Sequence, residues 1–425
     1  MTISKRLSVE EKIKEIRKAK GVTQKMLSKA LDCGEATINR SENSGRPYTE
    51  GEIIAIREYL GVTELPLFDK EIAVYKEKVY VWIDRIRNEL LNEAKKMREE
   101  LSIIEQLPFE TDLIMLFKLA GVRLLLKEGD FISSEEVLEW AKPFLGDTTE
   151  ENQYHFHYAT GSLHMYQRNP KDALQAYMLA DSIELGSFKR ENNLKFNLAI
   201  CYAKLGKYVL AIGLLEHIYN DIDHEISSID GLILDTNLGI NYMRMNHIQK
   251  ARGFFDKVLA SAKRMGRKTS AGFALHNHGC ICWKLGEFEK AVEYFDKASV
   301  NFSVGDNHYL ENQYFKISCL IALKSHQSEK ELENTITLAK DNHHYLMLLN
   351  SLPHLMTMDE ASMEYIEKTT IPYLLDKYEY FKTFGYFEIL EKTYLKKGGK
   401  MKSLEIAKRA YDVHKLMTRG EGVDQ

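Results

Sequence analysis

Three stretches of this chain repeat one another at a fixed offset of 40 residues, and that regularity limits the fold more than any other feature. NLAICYAKLGKYVLAIGLLEHI begins at Asn197, NLGINYMRMNHIQKARGFFDKV at Asn237 and NHGCICWKLGEFEKAVEYFDKA at Asn277. Each copy carries a small residue (Ala199, Gly239, Gly279) and then a Tyr or Cys (Tyr202, Tyr242, Cys282). A turn residue (Gly206, Asn246, Gly286) and an alanine (Ala211, Ala251, Ala291) follow. Small residues where two helices cross let their axes approach closely, so each copy is predicted to be an antiparallel helix pair. Such units bury their apolar faces only by stacking on their neighbours.

Weaker copies carry the pattern to both sides. Gly161, Ala173, Tyr177 and Ala180 form one upstream, and Tyr394, Gly398, Ala407 and Ala410 form one near the end. Segments 109–145 and 309–340 read as helix pairs with eroded signatures, so about seven or eight helical hairpins are expected across 109–425. The spacing resembles the tetratricopeptide repeat, stretched from its usual ~34 residues to about 40. That resemblance implies a right-handed superhelix whose first helices line a concave groove, wide enough for an extended peptide or a partner helix. Composition agrees with an all-α chain: only 7 prolines in 425 residues leave long helices unbroken, and a 44% hydrophobic share can bury them.

The first 65 residues follow a different rule. Ser8 with Glu11, and Thr49 with Glu52, form S/T-x-x-E capping boxes, while Thr23 opens a further short helix. Helices are predicted at about 9–20, from Thr23 to Leu31, from Gly34 to about Asn43 and from Thr49 to Leu60. Ile13, Ile16, Met26, Leu27, Ile38, Ile53, Ile56 and Leu60 are their candidate shared core. The string GVTQKMLSKALDCGEATINRSEN, Gly21 to Asn43, resembles the helix-turn-helix of the phage-repressor (Xre-like) family. The resemblance implies that Glu35, Ala36 and Thr37 open a recognition helix at the base edges, with Asn39 and Arg40 further along the groove. It also implies that Gln24 grips a phosphate, with Lys25 and Arg46 joining from the basic surface. Two positions depart from the family pattern. Gly34 stands where Ser or Thr usually caps the recognition helix, and Ser41 where an apolar residue usually packs, which predicts a third helix held less firmly.

Charge supports the reading independently. Residues 1–46 hold eleven Lys and Arg, Lys5 and Arg6 among them, against six Asp and Glu, a local +5 in a chain whose net charge is -4. The whole surface is therefore unsuited to coating nucleic acid or acidic membranes, but the head carries an electrostatic footprint for double-stranded DNA. One module makes few contacts, so two of them about a helical turn apart are expected, in a homodimer or a higher oligomer.

Between head and repeats, 66–108 is rich in paired charges and reads as a linker, one long helix or a hairpin, with Val74, Val81, Trp82, Ile86, Leu90 and Leu91 as its apolar positions. The predicted organisation is a helix-turn-helix at 1–65, a linker helix at 66–108 and a peptide-binding repeat domain at 109–425.

Within the repeats, Asn197, Asn237 and Asn277 share one position, which faces inward on a first helix if the tetratricopeptide resemblance holds. An Asn amide both donates and accepts, so a ladder of three suits the backbone of an extended peptide. Lys204, Arg244 and Lys284, seven residues on, form a basic ladder suited to an acidic side chain or a terminal carboxylate. Arg123, on the first predicted hairpin, is another candidate inward charge, and Tyr158, Tyr202 and Trp283 are candidate pocket walls. No glycine-rich phosphate loop, G-x-S-x-G or paired C-x-x-C occurs, so no catalytic residue and no cofactor are expected. His276, His278, Cys280 and Cys282 are the one metal-like cluster, but their pairs point to different faces and no metal site is expected. Five scattered cysteines suit reduced thiols in a helical interior.

An Xre-like head followed by tetratricopeptide-like repeats resembles the peptide-pheromone receptors of Gram-positive bacteria, the Rap, Rgg, NprR, PlcR and PrgX superfamily. The array length is most similar to the NprR (neutral-protease-regulator) class or to arbitrium receptors. What this implies is a cytoplasmic quorum-sensing transcriptional regulator without a membrane partner. A short signalling peptide in the groove would alter oligomeric state or DNA-binding geometry. The alternative is a Rap-like regulator that sequesters a phosphorelay response regulator under peptide control.

Overall fold

The computed structural model describes residues 7–43, 45–62, 67, 69–88, 90–107, 110–184, 192–221 and 229–419. Lys5 and Arg6 of the basic head lie outside that set. Among the described residues there are helices and no strands, and no helix is long and apolar enough to cross a membrane. The chain divides into two compact units, Met1–Gln167 with Gln175–Arg190, and Arg168–Leu174 with Glu191–Gln425.

The first unit opens with four short helices, Val9–Ala19, Gln24–Ala30, Glu35–Glu42 and Glu50–Leu60. Both capping boxes form, Ser8 with Glu11 and Thr49 with Glu52, and the Thr23 hydroxyl accepts from the Met26 amide. Ile13, Ile16, Leu27, Ile38, Ile53, Ile56 and Leu60 make one core together with Tyr48. Met26, expected inside, is 46% exposed. The linker is a hairpin, Asp69–Arg87 and Leu91–Leu101, rather than one helix. Its buried stripe is Val79, Trp82, Ile83 and Ile86, a helical i, i+3, i+4, i+7 face that leaves Val74 and Val81 largely in solvent. Trp82 donates its indole N–H to the Ala94 carbonyl at 2.8 Å and stacks on Phe117 of the helix Thr111–Glu128 at 5.2 Å. Lys12 of the head also reaches Glu110 at 2.9 Å, both groups buried, so head, linker and first hairpin share one packed unit.

In the second unit the 40-residue period becomes helix pairs: Asn192–Lys204 with Tyr208–Asp221, Ile229–Arg244 with Ile248–Arg264, and Lys268–Lys284 with Phe288–Ser299. The small residue on each first helix receives a ring from the second. A Cβ on Gly239 would come within 2.5 Å of Phe255, and one on Gly279 within 2.6 Å of Phe295, both rings fully buried. The first copy has Ala199 where the others have glycine, and Leu215 where they have Phe, so a smaller partner leaves room for the methyl. Gly206, Asn246 and Gly286 each take positive φ (76°, 64° and 75°) at the turns, the left-handed conformation that Gly and Asn adopt most readily. Asn307–Ala322 with Gln327–Leu338 continues the series, and Tyr380–Lys396 with Lys400–Arg419 ends it. Between them lie short segments, His343–Ser351, Pro353–Thr357, Glu360–Tyr365 and Ile371–Asp376, where Pro353 and Pro372 interrupt the pattern. Cys201, Cys280, Cys282 and Cys319 are buried free thiols, and Cys33 is half-buried.

Two glycine substitutions should move stability in opposite directions. Gly279→Ala forces a methyl into the Phe295 ring and should destabilise by about 1–2 kcal/mol, overpacking outweighing the helix-propensity gain. Gly253→Ala, on an exposed helix face with open space around it, should stabilise by about 0.5–1 kcal/mol. Urea unfolding of both variants, followed by circular dichroism, checks the pair of signs.

Candidate functional site

The first candidate site is the outer face of the helix-turn-helix. Glu42, buried at the end of the third helix, accepts two bonds from Arg17 of the first, at 2.5 and 2.7 Å. Arg17 also donates to the Val22 carbonyl at 2.6 Å, and Gln24 donates to Glu42 at 2.8 Å. One carboxylate thus ties three helices. Burial alone would raise the Glu42 carboxyl, but the Arg17 and Gln24 hydrogen bonds outweigh it and hold it below the usual range. The same bond to Glu42 raises Arg17 above its ordinary value.

Anchored there, the helix Glu35–Glu42 buries Ile38, Ser41 and Glu42 and turns Glu35, Ala36, Asn39 and Arg40 to solvent, with Thr37 half-buried. Lys25 is exposed beside them. The expected DNA-reading residues therefore share an accessible face, with two qualifications. Gln24 is engaged with Glu42, and Arg46 is paired with Glu52 at 2.8 Å. The two departures in the sequence are visible too. Gly34 supplies no side-chain cap, and Ser41 is fully buried with its hydroxyl unpartnered.

The second candidate site lies in the repeat unit. Asn237 and Asn277 donate to carbonyls one turn back in their own helices, Ile233 and Phe273, each at 2.8 Å. Asn277 is buried, whereas Asn197 and Asn237 are half-buried. None of the three lines the large chamber of this unit, about 1120 Å³, whereas Arg244 and Lys284 of the basic ladder do. That chamber runs along the turns at Gly206, Asn246 and Gly286, and its far wall is the helix Tyr380–Lys396. Trp283 forms part of the near wall and lies over Gly385, where a Cβ would be 2.7 Å from the indole. Tyr202 packs against the neighbouring core. Arg123 and Tyr158 belong to the first unit, where the guanidinium sits 4.1 Å over the phenol ring. Lys204 points to Glu379 at 3.7 Å, a carboxylate that also accepts from Arg168 and Lys382, both at 2.9 Å. Lys382 bonds Glu311 as well, at 2.7 Å.

Burial would raise Glu379, but Lys204, Lys382 and Arg168 pull it well below the usual carboxylate range. For Lys204 the pull of Glu379 upward is overcome by burial and by the neighbouring cations Arg244, Lys382 and Arg168, leaving it below an ordinary lysine. The Glu379 cluster escaped sequence reasoning because its acid and lysine fall where the period has eroded. Their only local signal is an i, i+3 Glu–Lys pair. His276 contacts Cys280 at 3.3 Å and Asn312 at 3.0 Å, and no group of three or more His, Cys, Asp or Glu among the described residues could hold a metal.

Comparison with known proteins places these features. A helix-turn-helix family model matches residues 13–67, and a tetratricopeptide-repeat model matches 274–299. Response regulator aspartate phosphatase A of Bacillus subtilis (strain 168) is 24% identical over 250 residues, which cover 52% of this chain and 62% of that protein, so the match spans under two thirds of the relative's length. A Rap protein solved with Competence and Sporulation Factor superposes with a TM-score of 0.70 at 17% identity, covering 82% of this chain and 98% of that one. NprR of B. thuringiensis, a quorum sensor in apo form, gives 0.61 at 18% identity, with 81% and 99% covered. NprR solved with its cognate peptide NprX gives 0.62 at 19% identity, with 81% and 98% covered. The fold is that of the Rap and NprR proteins, with a helix-turn-helix at the head. Fold, family matches and the Rap relative together support the peptide-receptor superfamily that the sequence resembles.

Two substitutions in the head should act in opposite senses. Ser41→Ala removes a buried hydroxyl with no partner and should stabilise the head by about 1 kcal/mol. Glu42→Gln strips Arg17 of its buried counter-charge and should cost on the order of 3 kcal/mol. Because the folded Glu42 value is depressed, its contribution is present above the ordinary glutamate range and is lost as pH falls through the folded value. Hydrogen-exchange protection of the Ile38 amide, corrected for the intrinsic rate, reads the head by itself: higher in Ser41→Ala, lower in Glu42→Gln, and lowered in wild type only at acid pH.

Proposed function

We propose that this chain is a cytoplasmic quorum-sensing transcriptional regulator, which reads DNA through the helix-turn-helix and is controlled by a short peptide held in the repeats. The observation that carries the reading is the exposed face of Glu35, Ala36, Asn39 and Arg40 on a helix anchored by the buried Arg17–Glu42 pair, within a basic head. The chemistry suits base edges: Asn pairs with adenine, Arg with guanine, and Glu accepts from the cytosine amino group. Thr37 and Ala36 fit beside a thymine methyl, while Lys25, Gln24 and Arg46 serve the phosphates. For the last two this asks that their bonds to Glu42 and Glu52 be shared with or exchanged for phosphate oxygens. A homodimer supplies the two modules that a palindromic operator needs.

The peptide lies along the first helices, where Asn197, Asn237 and Asn277 meet its backbone and Lys204, Arg244 and Lys284 its charged groups. This asks that the Asn237 and Asn277 amides leave their helix carbonyls and that Lys204 share Glu379 with the peptide. Seven residues is close to two helical turns, so each Asn shares a face with the cation that follows it. Arg123 is a further candidate contact for the peptide. Peptide binding shifts the repeats between two arrangements and so changes the oligomer or the spacing of the two heads. The Rap relative, named for a response regulator, favours one alternative, a regulator that sequesters such a protein under peptide control.

A mobility-shift assay of the full chain against genomic operator candidates, with and without peptides from culture supernatant, tests the proposal. Asn39→Ala and Arg40→Ala should each weaken the specific complex by about 1–3 kcal/mol and leave nonspecific binding nearly unchanged. DNA affinity and oligomeric state indifferent to every bound peptide would overturn the switch. Retention of a response regulator by a chain lacking 1–65 would favour the alternative.

A further inference from the structure

The basic ladder shows two kinds of surroundings within one unit. Lys204, its first rung, faces the Glu379 carboxylate, which Arg168 and Lys382 also hold. Arg244 and Lys284, the second and third rungs, open on the chamber and hydrogen-bond only to backbone carbonyls, the Arg244 guanidinium also lying 5.7 Å over the Tyr208 ring. Arg244 donates to Ala203 at 3.3 Å and Lys284 to Met243 at 3.4 Å, while the Nε of Arg244 is buried without a partner. Among the described residues no carboxylate lies within 4 Å of either cation. Glu388, the acid in the chamber lining, is bonded to Lys392 at 2.6 Å. Its field pulls Lys284 up only in part, and burial leaves that lysine below its ordinary value. The chamber thus carries two cations, Arg244 half-buried and Lys284 exposed, that have no carboxylate partner, next to a place where the same ladder is already satisfied by one.

Much of the remaining lining is apolar or aromatic, with Lys207, Lys382, Lys392 and His414 among it. Trp283 meets Phe381 at 5.4 Å, and Phe288, Phe384, Leu355 and Ile389 extend the surface. The volume of about 1120 Å³ slightly exceeds that of pockets for small organic ligands, roughly 300–1,000 Å³, and accommodates several residues of a peptide. Arg244 and Lys284 are the last residues of their helices, where the backbone presents carbonyls and the negative end of the dipole. A doubly charged phosphate is poorly served there, since it wants N–H donors. A singly charged carboxylate suits a guanidinium fork with a lysine beside it.

Resting on the reading of the repeats as a peptide receptor, we propose that this chamber selects peptides that carry a carboxylate next to a bulky apolar side chain. The carboxylate sits between Arg244 and Lys284, and the side chain lies against Trp283 and Phe381. Glu379 on Lys204 is the internal version of the same contact. The carboxylate is supplied by the peptide C-terminus or by an Asp or Glu side chain, the chemistry at the two cations being the same.

Affinity selection on the full chain, read by mass spectrometry, tests this with four synthetic random hexapeptide pools. These combine free-acid or amidated C-termini with Asp and Glu included or omitted. Ligands should come from pools that contain a carboxylate, with an apolar residue at or beside it, and the amidated and acid-free arms show which source is used. Their affinity should fall at least tenfold in Lys284→Gln and in Arg244→Gln, with unfolding midpoints unchanged. Lys284, exposed and bonded to a single carbonyl, carries the test if Arg244→Gln does not fold. Ligands recovered equally from the pool without any carboxylate, and indifferent to Lys284→Gln, would overturn the selectivity and leave the peptide-receptor reading standing. No peptide retained from any pool would overturn both.

Discussion

The close crossing of helix pairs at Gly239 and Gly279 is the constraint on which the repeat unit depends. With Phe255 and Phe295 inserted where a Cβ would stand, each pair is drawn together in the same way. Residues 40 apart therefore recur in equivalent places, which turns three scattered cations, Lys204, Arg244 and Lys284, into a ladder. The cost of the close approach is a glycine in the middle of a helix, about 1 kcal/mol each, offset by a fully buried aromatic side chain. A surface assembled this way is set by backbone geometry, so its chemistry can change rung by rung without disturbing the core.

Electrostatics then divides the labour. In the head, the buried pair of Arg17 with Glu42 is structural: it joins helices, while Arg40 and Lys25 stay exposed. In the repeats, Glu379 gathers Arg168, Lys204 and Lys382 around one carboxylate, joining residue 168 to the final helix pair. Such a cluster is costly to assemble because several charges leave water together. It holds because Arg168 and Lys382 meet the carboxylate within hydrogen-bonding distance and Lys204 lies in its field at 3.7 Å. Arg244 and Lys284, close by, have no such carboxylate. That contrast is what the proposed carboxylate selectivity rests on.

Much of this was legible in the residues, and the failures have physical causes. The capping boxes at Ser8 and Thr49, the turn residues Gly206, Asn246 and Gly286, and the small positions at the crossings are local rules, and each appears where the sequence places it. Ser41 was readable as a weak spot because a hydroxyl at a core position has no compensating pattern. The linker misled because Val74 and Val81 look as apolar as Trp82. Only the partner surface around Phe117 decides which stripe goes inside. The Glu379 cluster was invisible because it joins residues 211 apart, and no periodicity encodes which distant acid a lysine will meet. The Asn positions were legible as a set, but their amides turn to their own helices at Asn237 and Asn277, a local choice open to any helical Asn.

The central claim is that the basic head reads a defined DNA sequence. Selection of the full chain on a random duplex library at physiological salt tests it most directly. The account predicts enrichment of a palindrome with half-sites about one helical turn apart, lost when Asn39 and Arg40 are both replaced by alanine. Recovery of DNA with no enriched sequence, at the affinity of any basic surface, would contradict it.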